Sequence, residues 1–160
     1  MDISGKGTDL VIRNHPDQEV PLIRDIDFIG TVYETMGKKE MARDHYQLCT
    51  TERQNPELDE NHFYKALGFE KLGMDEEAED IFDGLISLGK KRIQFTDANF
   101  FAKFGERETP DDKLSNAYYL LGLGYMGKKM NEDAALMFTE AVRLNINHVW
   151  AAKYLSQINK

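Results

Sequence analysis

Two stretches of this 160-residue chain, 92 positions apart, place the same residue types at the same spacing. The first reads Ile26, Ile29, Gly30, Tyr33, then Ala42, Tyr46 and Cys49; the second reads Tyr118, Leu121, Gly122, Tyr125, then Ala134, Phe138 and Ala141. A coincidence of small, aromatic and apolar slots over this span marks an internal repeat, and a repeat constrains a fold more than composition does. Within each copy the apolar residues recur at three- and four-residue spacing, which puts them on one face of a helix. Sustained alternation of the kind a half-buried strand needs is absent from residue 20 onward.

A less regular copy lies between them, with Ala66, Phe69, Leu72, Gly73, Ala78, Phe82 and Leu85 in the matching slots. Ala42 to Ala78 is 36 residues, whereas Ala78 to Ala134 is 56. The longer step implies an insert of roughly 22 residues over a 34-residue period. The spacing predicts helix pairs over 23–56, 59–92 and 115–148, an insert over 93–114, and a last helix over 149–160 with the apolar stripe Trp150, Tyr154, Leu155 and Ile158. The insert carries Phe95, Phe100, Phe101 and Phe104, too apolar for a solvated loop. It is expected to form a short helix near 97–104 packed on the groove side of the stack.

Helix boundaries can be read from the turn residues. Asn55-Pro56-Glu57 and Thr109-Pro110-Asp111-Asp112 each offer a capping side chain, a proline and an acid, the combination that suits a helix start. Asp75, Glu76 and Glu77 would open a helix after Gly73. The basic groups Lys38-Lys39, Lys90-Lys91-Arg92 and Lys128-Lys129 follow or fall inside candidate turns, and read as solvated charge. Residues 1–19, with Gly5, Gly7, Asn14 and Pro16 around the short run Leu10-Val11-Ile12, are expected to be a leader or linker ahead of a helical domain over 20–160.

These repeats resemble the tetratricopeptide repeat family over residues 23–160. The resemblance implies an all-α, right-handed helical-repeat solenoid of about three helix pairs plus a C-terminal capping helix, with a concave face lined by the first helix of each pair. Family register places Arg24, Asp27, Thr31 and Glu34, then Glu60, Phe63, Leu67, Glu70 and Lys71, then Asn116, Tyr119, Leu123 and Met126 on that face, followed by Trp150. The implied function is a scaffold that binds a protein or peptide segment through apolar anchors, with Phe63, Leu67, Tyr119, Leu123, Met126 and Trp150 as the groove. Asp27, Thr31, Phe63 and Leu67 stand where members that clamp a terminal carboxylate need Lys, Arg and Asn. A self-filled groove is the competing expectation. The last 65 residues also resemble, less specifically, the helical tail of large bacterial proteins bearing a carbohydrate-associated β-sandwich. That resemblance implies an accessory or self-associating module, and a homo-oligomer is one expectation.

Chemistry finds little purchase here. Gly122-Leu123-Gly124-Tyr125-Met126-Gly127 matches the dinucleotide fingerprint letter for letter, but that fingerprint requires a preceding strand, whereas here it ends a repeat helix. Ser4-Gly5-Lys6-Gly7-Thr8 lacks the leading glycine of a phosphate loop. His15, His45, His62 and His148 have no metal-ligand spacing, and the single cysteine, Cys49, occupies the small slot that Ala141 fills in the third copy. The chain is therefore expected to be no enzyme, with no cofactor and no metal. A net charge of −8 argues against nucleic acid or an anionic membrane as partner, and no stretch reaches the ~18 apolar residues of a membrane span. A reducing cytoplasm is the expected setting.

Overall fold

The computed structural model describes residues 22–52, 55–98 and 109–159, apart from the side chains of residues 97 and 98. Seven helices and no strand occur among the described residues. They are α1 (Ile23–Thr35), α2 (Lys39–Thr51), α3 (Glu60–Lys71), α4 (Asp75–Ala98), α5 (Pro110–Gly127), α6 (Asn131–Leu144) and α7 (Val149–Ile158). The fold is an all-α helical repeat, with α1 and α2, α3 and α4, and α5 and α6 as its pairs.

The turn inside each pair is the same. Lys38 N donates to Tyr33 O at 2.9 Å, Met74 N to Phe69 O at 2.9 Å and Met130 N to Tyr125 O at 2.9 Å, each wrapping the chain over the end of the preceding helix. Such a turn requires one residue in the left-handed region, and Gly37 (φ 73°), Gly73 (φ 77°) and Lys129 (φ 62°) supply it. Lysine pays a steric penalty there that glycine avoids.

Small residues set how closely the helices approach. A Cβ on Gly30 would lie 2.8 Å from the Tyr46 ring, and one on Gly122 would lie 2.6 Å from the Phe138 ring, so the matching slots make matching contacts within their pairs. Between pairs, α3 approaches α2 at Gly68, whose Cβ would lie 3.0 Å from Tyr46 O. Helix α5 approaches α4 at Gly124, 2.9 Å from Phe82 O, and α4 answers with Gly89 against Leu121 and Ala117. The glycines of the fingerprint-like run are thus packing residues. Gly127 completes the set against the Phe82 ring.

Two boundaries depart from the reading of the turn residues and spacing. Asn55-Pro56-Glu57 closes a turn, with Asn55 Oδ1 accepting from Glu57 N at 3.1 Å, and starts no helix. The start of α3 is instead Asp59, which accepts from Asn61 N at 2.9 Å while His62 Nδ1 accepts from Asp59 N at 3.1 Å. Helix α4 does not stop near residue 92 but continues to Ala98, because no proline or glycine follows Gly89 until Gly105. Lys90, Lys91 and Arg92 accordingly lie inside a helix and not in a turn. Residues 99–108, and with them most of the short helix expected over 97–104, lie outside the described residues. Thr109 begins α5 as expected, its hydroxyl accepting from Asp112 N while Asp112 caps Thr109 N in return.

Candidate functional site: the inner face and its occupant

The first helices α1, α3 and α5 lie side by side. Helix α7 packs on α6 and also reaches across this face to α1. The Trp150 and Phe28 rings are 6.3 Å apart, the Arg24 guanidinium lies 4.1 Å over the Trp150 ring, and Lys153 Nζ stands 4.5 Å from both Phe28 and Trp150. Each cation sits where the quadrupole of an aromatic face attracts it.

Tyr154 is the centre of the closure. Its ring packs against Phe63 of α3 (6.2 Å, edge-on), Phe138 of α6 (5.7 Å, stacked) and Tyr119 of α5 (6.5 Å), and its hydroxyl shares a 2.6 Å hydrogen bond with that of Tyr64. A buried tyrosine hydroxyl needs such a partner. Tyr119 is less well served: its hydroxyl makes no close hydrogen bond but interacts with the Tyr64 hydroxyl and the Glu60 carboxylate, and Arg24 Nε is 3.5 Å from Asp25. Burial pushes the phenols of Tyr119 and Tyr154 far above the ordinary tyrosine value, so both stay protonated.

His148 opens α7. Its Nδ1 accepts from Ala151 N at 3.3 Å, and its ring lies 4.5 Å from that of Tyr119. Burial lowers its pKa, which keeps the imidazole neutral and leaves Nδ1 free to accept.

Beyond α7 the inner face is polar. Lys71 Nζ of α3 reaches Glu34 Oε2 of α1 at 2.6 Å, and Tyr46 donates to the same carboxylate at 2.8 Å; these bonds hold Glu34 below the usual glutamate range. Lys129 Nζ pairs with Glu70 at 2.5 Å. Asp27 lies between the aromatic and polar halves and is only 5% exposed. Its pKa is raised to about 6 by burial, with Lys71 opposing and Glu34 adding to the rise.

Of the six residues expected to anchor a peptide, Phe63, Tyr119 and Leu123 are buried, while Leu67, Met126 and Trp150 are half-buried and pack on the same core. Phe63 and Tyr119 are enclosed because Tyr154 lies on them. These residues pack on one core, but the sequence register did not show that α7 would cover Phe63 and Tyr119, and it passed over Phe28, Tyr64 and Lys153, which with Tyr154 make the closure. The one available signal was the aromatic stripe of α7 itself. Cys49 is enclosed as a small packing residue, its thiol pushed up to about 12 by burial and its Sγ 3.7 Å from Ile23 O. No group of three metal-ligating side chains occurs among the described residues.

Residues 28–56, which span most of α1, all of α2 and the turn that follows, match the family model of the tetratricopeptide repeat. Over that segment the chain is similar to a tetratricopeptide repeat. The match falls on the pair in which Gly30 receives the Tyr46 ring, and the same contact recurs where Gly122 receives Phe138. No curated protein and no solved structure matches the chain. No helix among the described residues is long and apolar enough to cross a membrane.

Proposed function

We propose that this chain is a non-catalytic scaffold for protein partners whose inner face receives an apolar helix or peptide segment. Tetratricopeptide repeats build protein interaction scaffolds, which supports the general reading. The observation that supports the specific one is the seating of α7, whose Tyr154 is held against Phe63 and Tyr119 while its Trp150 meets Phe28. A partner of the same chemistry, with aromatic residues four apart, takes the place of α7. Phe63, Leu67, Tyr119, Leu123 and Met126 are then the receptor, and Trp150 belongs to the ligand that the protein carries in cis. The setting that suits this reading is the cytoplasm of a bacterium, where Cys49 stays reduced.

The test uses a labelled peptide with the sequence of residues 147–159 and the full chain carrying Tyr154→Ala, which loosens α7. The variant should bind the peptide at least ~10-fold more tightly than the wild type, as expected when a competing intramolecular ligand is weakened. Adding Leu67→Glu should abolish binding. Failure of the peptide to bind either chain would rule out the inner face as a receptor.

A further inference from the structure

The polar tips beneath α7 lie where repeat packing does not ask for them. Phe28, Tyr64, Leu120 and Tyr154 hold one slot of the repeat, reached by steps of 36, 56 and 34 residues along the chain. Phe28 of α1 and Leu120 of α5 fill that slot without a polar atom, and Leu120 is buried there. A hydroxyl is therefore no requirement of the helix pair. Of the four, only Tyr64 of α3 and Tyr154 of α7 carry one, and the two hydroxyls meet at 2.6 Å with both side chains buried.

The surroundings of Tyr64 make that contact matter to whichever helix lies in the seat. The Phe28 and Phe63 rings stand edge-on to it at 6.0 and 5.4 Å, so its hydroxyl is desolvated among aromatic surfaces. The further polar neighbours of that hydroxyl are the Tyr119 hydroxyl, which makes no close hydrogen bond, and the Glu60 carboxylate one turn back on α3. The close hydrogen bond of Tyr64 is thus the one it shares with the helix in the seat. A site that hydrogen-bonds a hydroxyl discriminates against the analogue that lacks it, because its own buried polar group is left unpaired. The first anchor of α7 is held differently. Trp150 meets the Phe28 ring and offers its π-face to Arg24 and Lys153, contacts that any large aromatic ring can make.

We infer that Tyr64 is a specificity-determining residue of the α7 seat: it admits a helix with tyrosine four residues after an aromatic anchor and rejects the same helix with phenylalanine there. The inference rests on the reading of the inner face as a receptor for such a helix, and it names the residue that the partner must carry. Helix α7 meets the rule with Trp150 and Tyr154.

Two peptides test it, residues 147–159 as they stand and the same segment with Tyr154→Phe, each titrated into the full chain carrying Tyr154→Ala. The native peptide should bind at least ~10-fold more tightly than its phenylalanine form. Adding Tyr64→Phe to the receptor should bring the two within ~3-fold of one another, by weakening the native peptide alone. Equal affinities for the receptor that retains Tyr64 overturn the inference, as does a preference for tyrosine that survives Tyr64→Phe undiminished. An intrachain arm separates this question from the receptor reading. In the full chain, Tyr154→Phe should speed amide exchange across α7 at least ~10-fold when Tyr64 is present and less than ~3-fold in a Tyr64→Phe background. If neither peptide binds, the receptor reading fails while the intrachain cycle still decides: coupling between positions 64 and 154 sustains the selection of tyrosine in this seat, and additive effects overturn it.

Discussion

The two ends of the helical stack solve the same problem in opposite ways. At the C-terminal end, α7 seals α6 and turns its aromatic side onto the inner face, leaving Ala152, Ser156 and Gln157 outward together with the exposed Val149. At the N-terminal end, α1 presents Leu22, Ile29, Val32 and Met36 with nothing described against them. A repeat buries its apolar sides only against its neighbours, so a terminal repeat must be capped or must bind something. One end is therefore closed by α7, and among the described residues the other is not.

The largest expected effect contrasts the register position that differs between the ends. Gly124→Val reproduces at an internal interface what α1 carries, and its side chain would collide with Phe82 O and Ile86; it should cost at least about 3 kcal/mol in urea unfolding. Val32→Gly, the reverse change at the open end, should cost only about 1 kcal/mol through helix propensity. Equal costs would mean that the two positions are not equivalent.

Asp27 tests how completely α1 is enclosed on its inner side. Its folded pKa of about 6 exceeds the unfolded value of 3.8, so the unfolded chain loses the proton first as pH rises. Stability should then fall between about pH 4 and pH 6, and the penalty should persist at pH 7. Asp27→Asn should recover about 2–3 kcal/mol at pH 7 and nothing at pH 4. Thermal melts at the two pH values measure this, and a gain at pH 4 as large as that at pH 7 would contradict the assignment.

A smaller pair of changes sharpens the account of the closed end. Tyr64→Phe removes the partner of the Tyr154 hydroxyl and should cost about 1–2 kcal/mol. Tyr119→Phe removes a hydroxyl that makes no close hydrogen bond and only weaker contacts to Glu60 and Tyr64, and should cost less than Tyr64→Phe. Last is Lys129→Gly, which relieves a left-handed lysine in the third turn and should stabilise by about 0.5–1 kcal/mol, provided the Glu70 ion pair contributes little at the surface.

Much of this architecture could be read from residue spacing. Gly30 with Tyr46 and Gly122 with Phe138 are local consequences of one register, so a 92-residue shift was enough to place the helices and their contacts. The spacing placed the second pair from residue 59, but its cap was misread as Asn55-Pro56-Glu57, because proline after asparagine suits a turn as well as a helix and the real cap pairs Asp59 with His62, where a glutamate or glutamine is usual. The closure by α7 was not legible. Whether the last helix of a stack meets the first depends on the accumulated rotation between pairs, a sum of small angles that no single residue encodes. Phe63 and Tyr119 accordingly read as groove residues and stand in the structure as the bed on which Tyr154 rests.

The self-sealing of the inner face is tested most directly by nuclear Overhauser contacts in the full chain. Closure predicts cross-peaks from the Trp150 indole to the Phe28 ring and from the Tyr154 ring to Tyr64 and Phe63, linking α7 to α1 and α3. A Trp150 and Tyr154 that contact only α5, α6 and their own helix would show the inner face open and contradict the account.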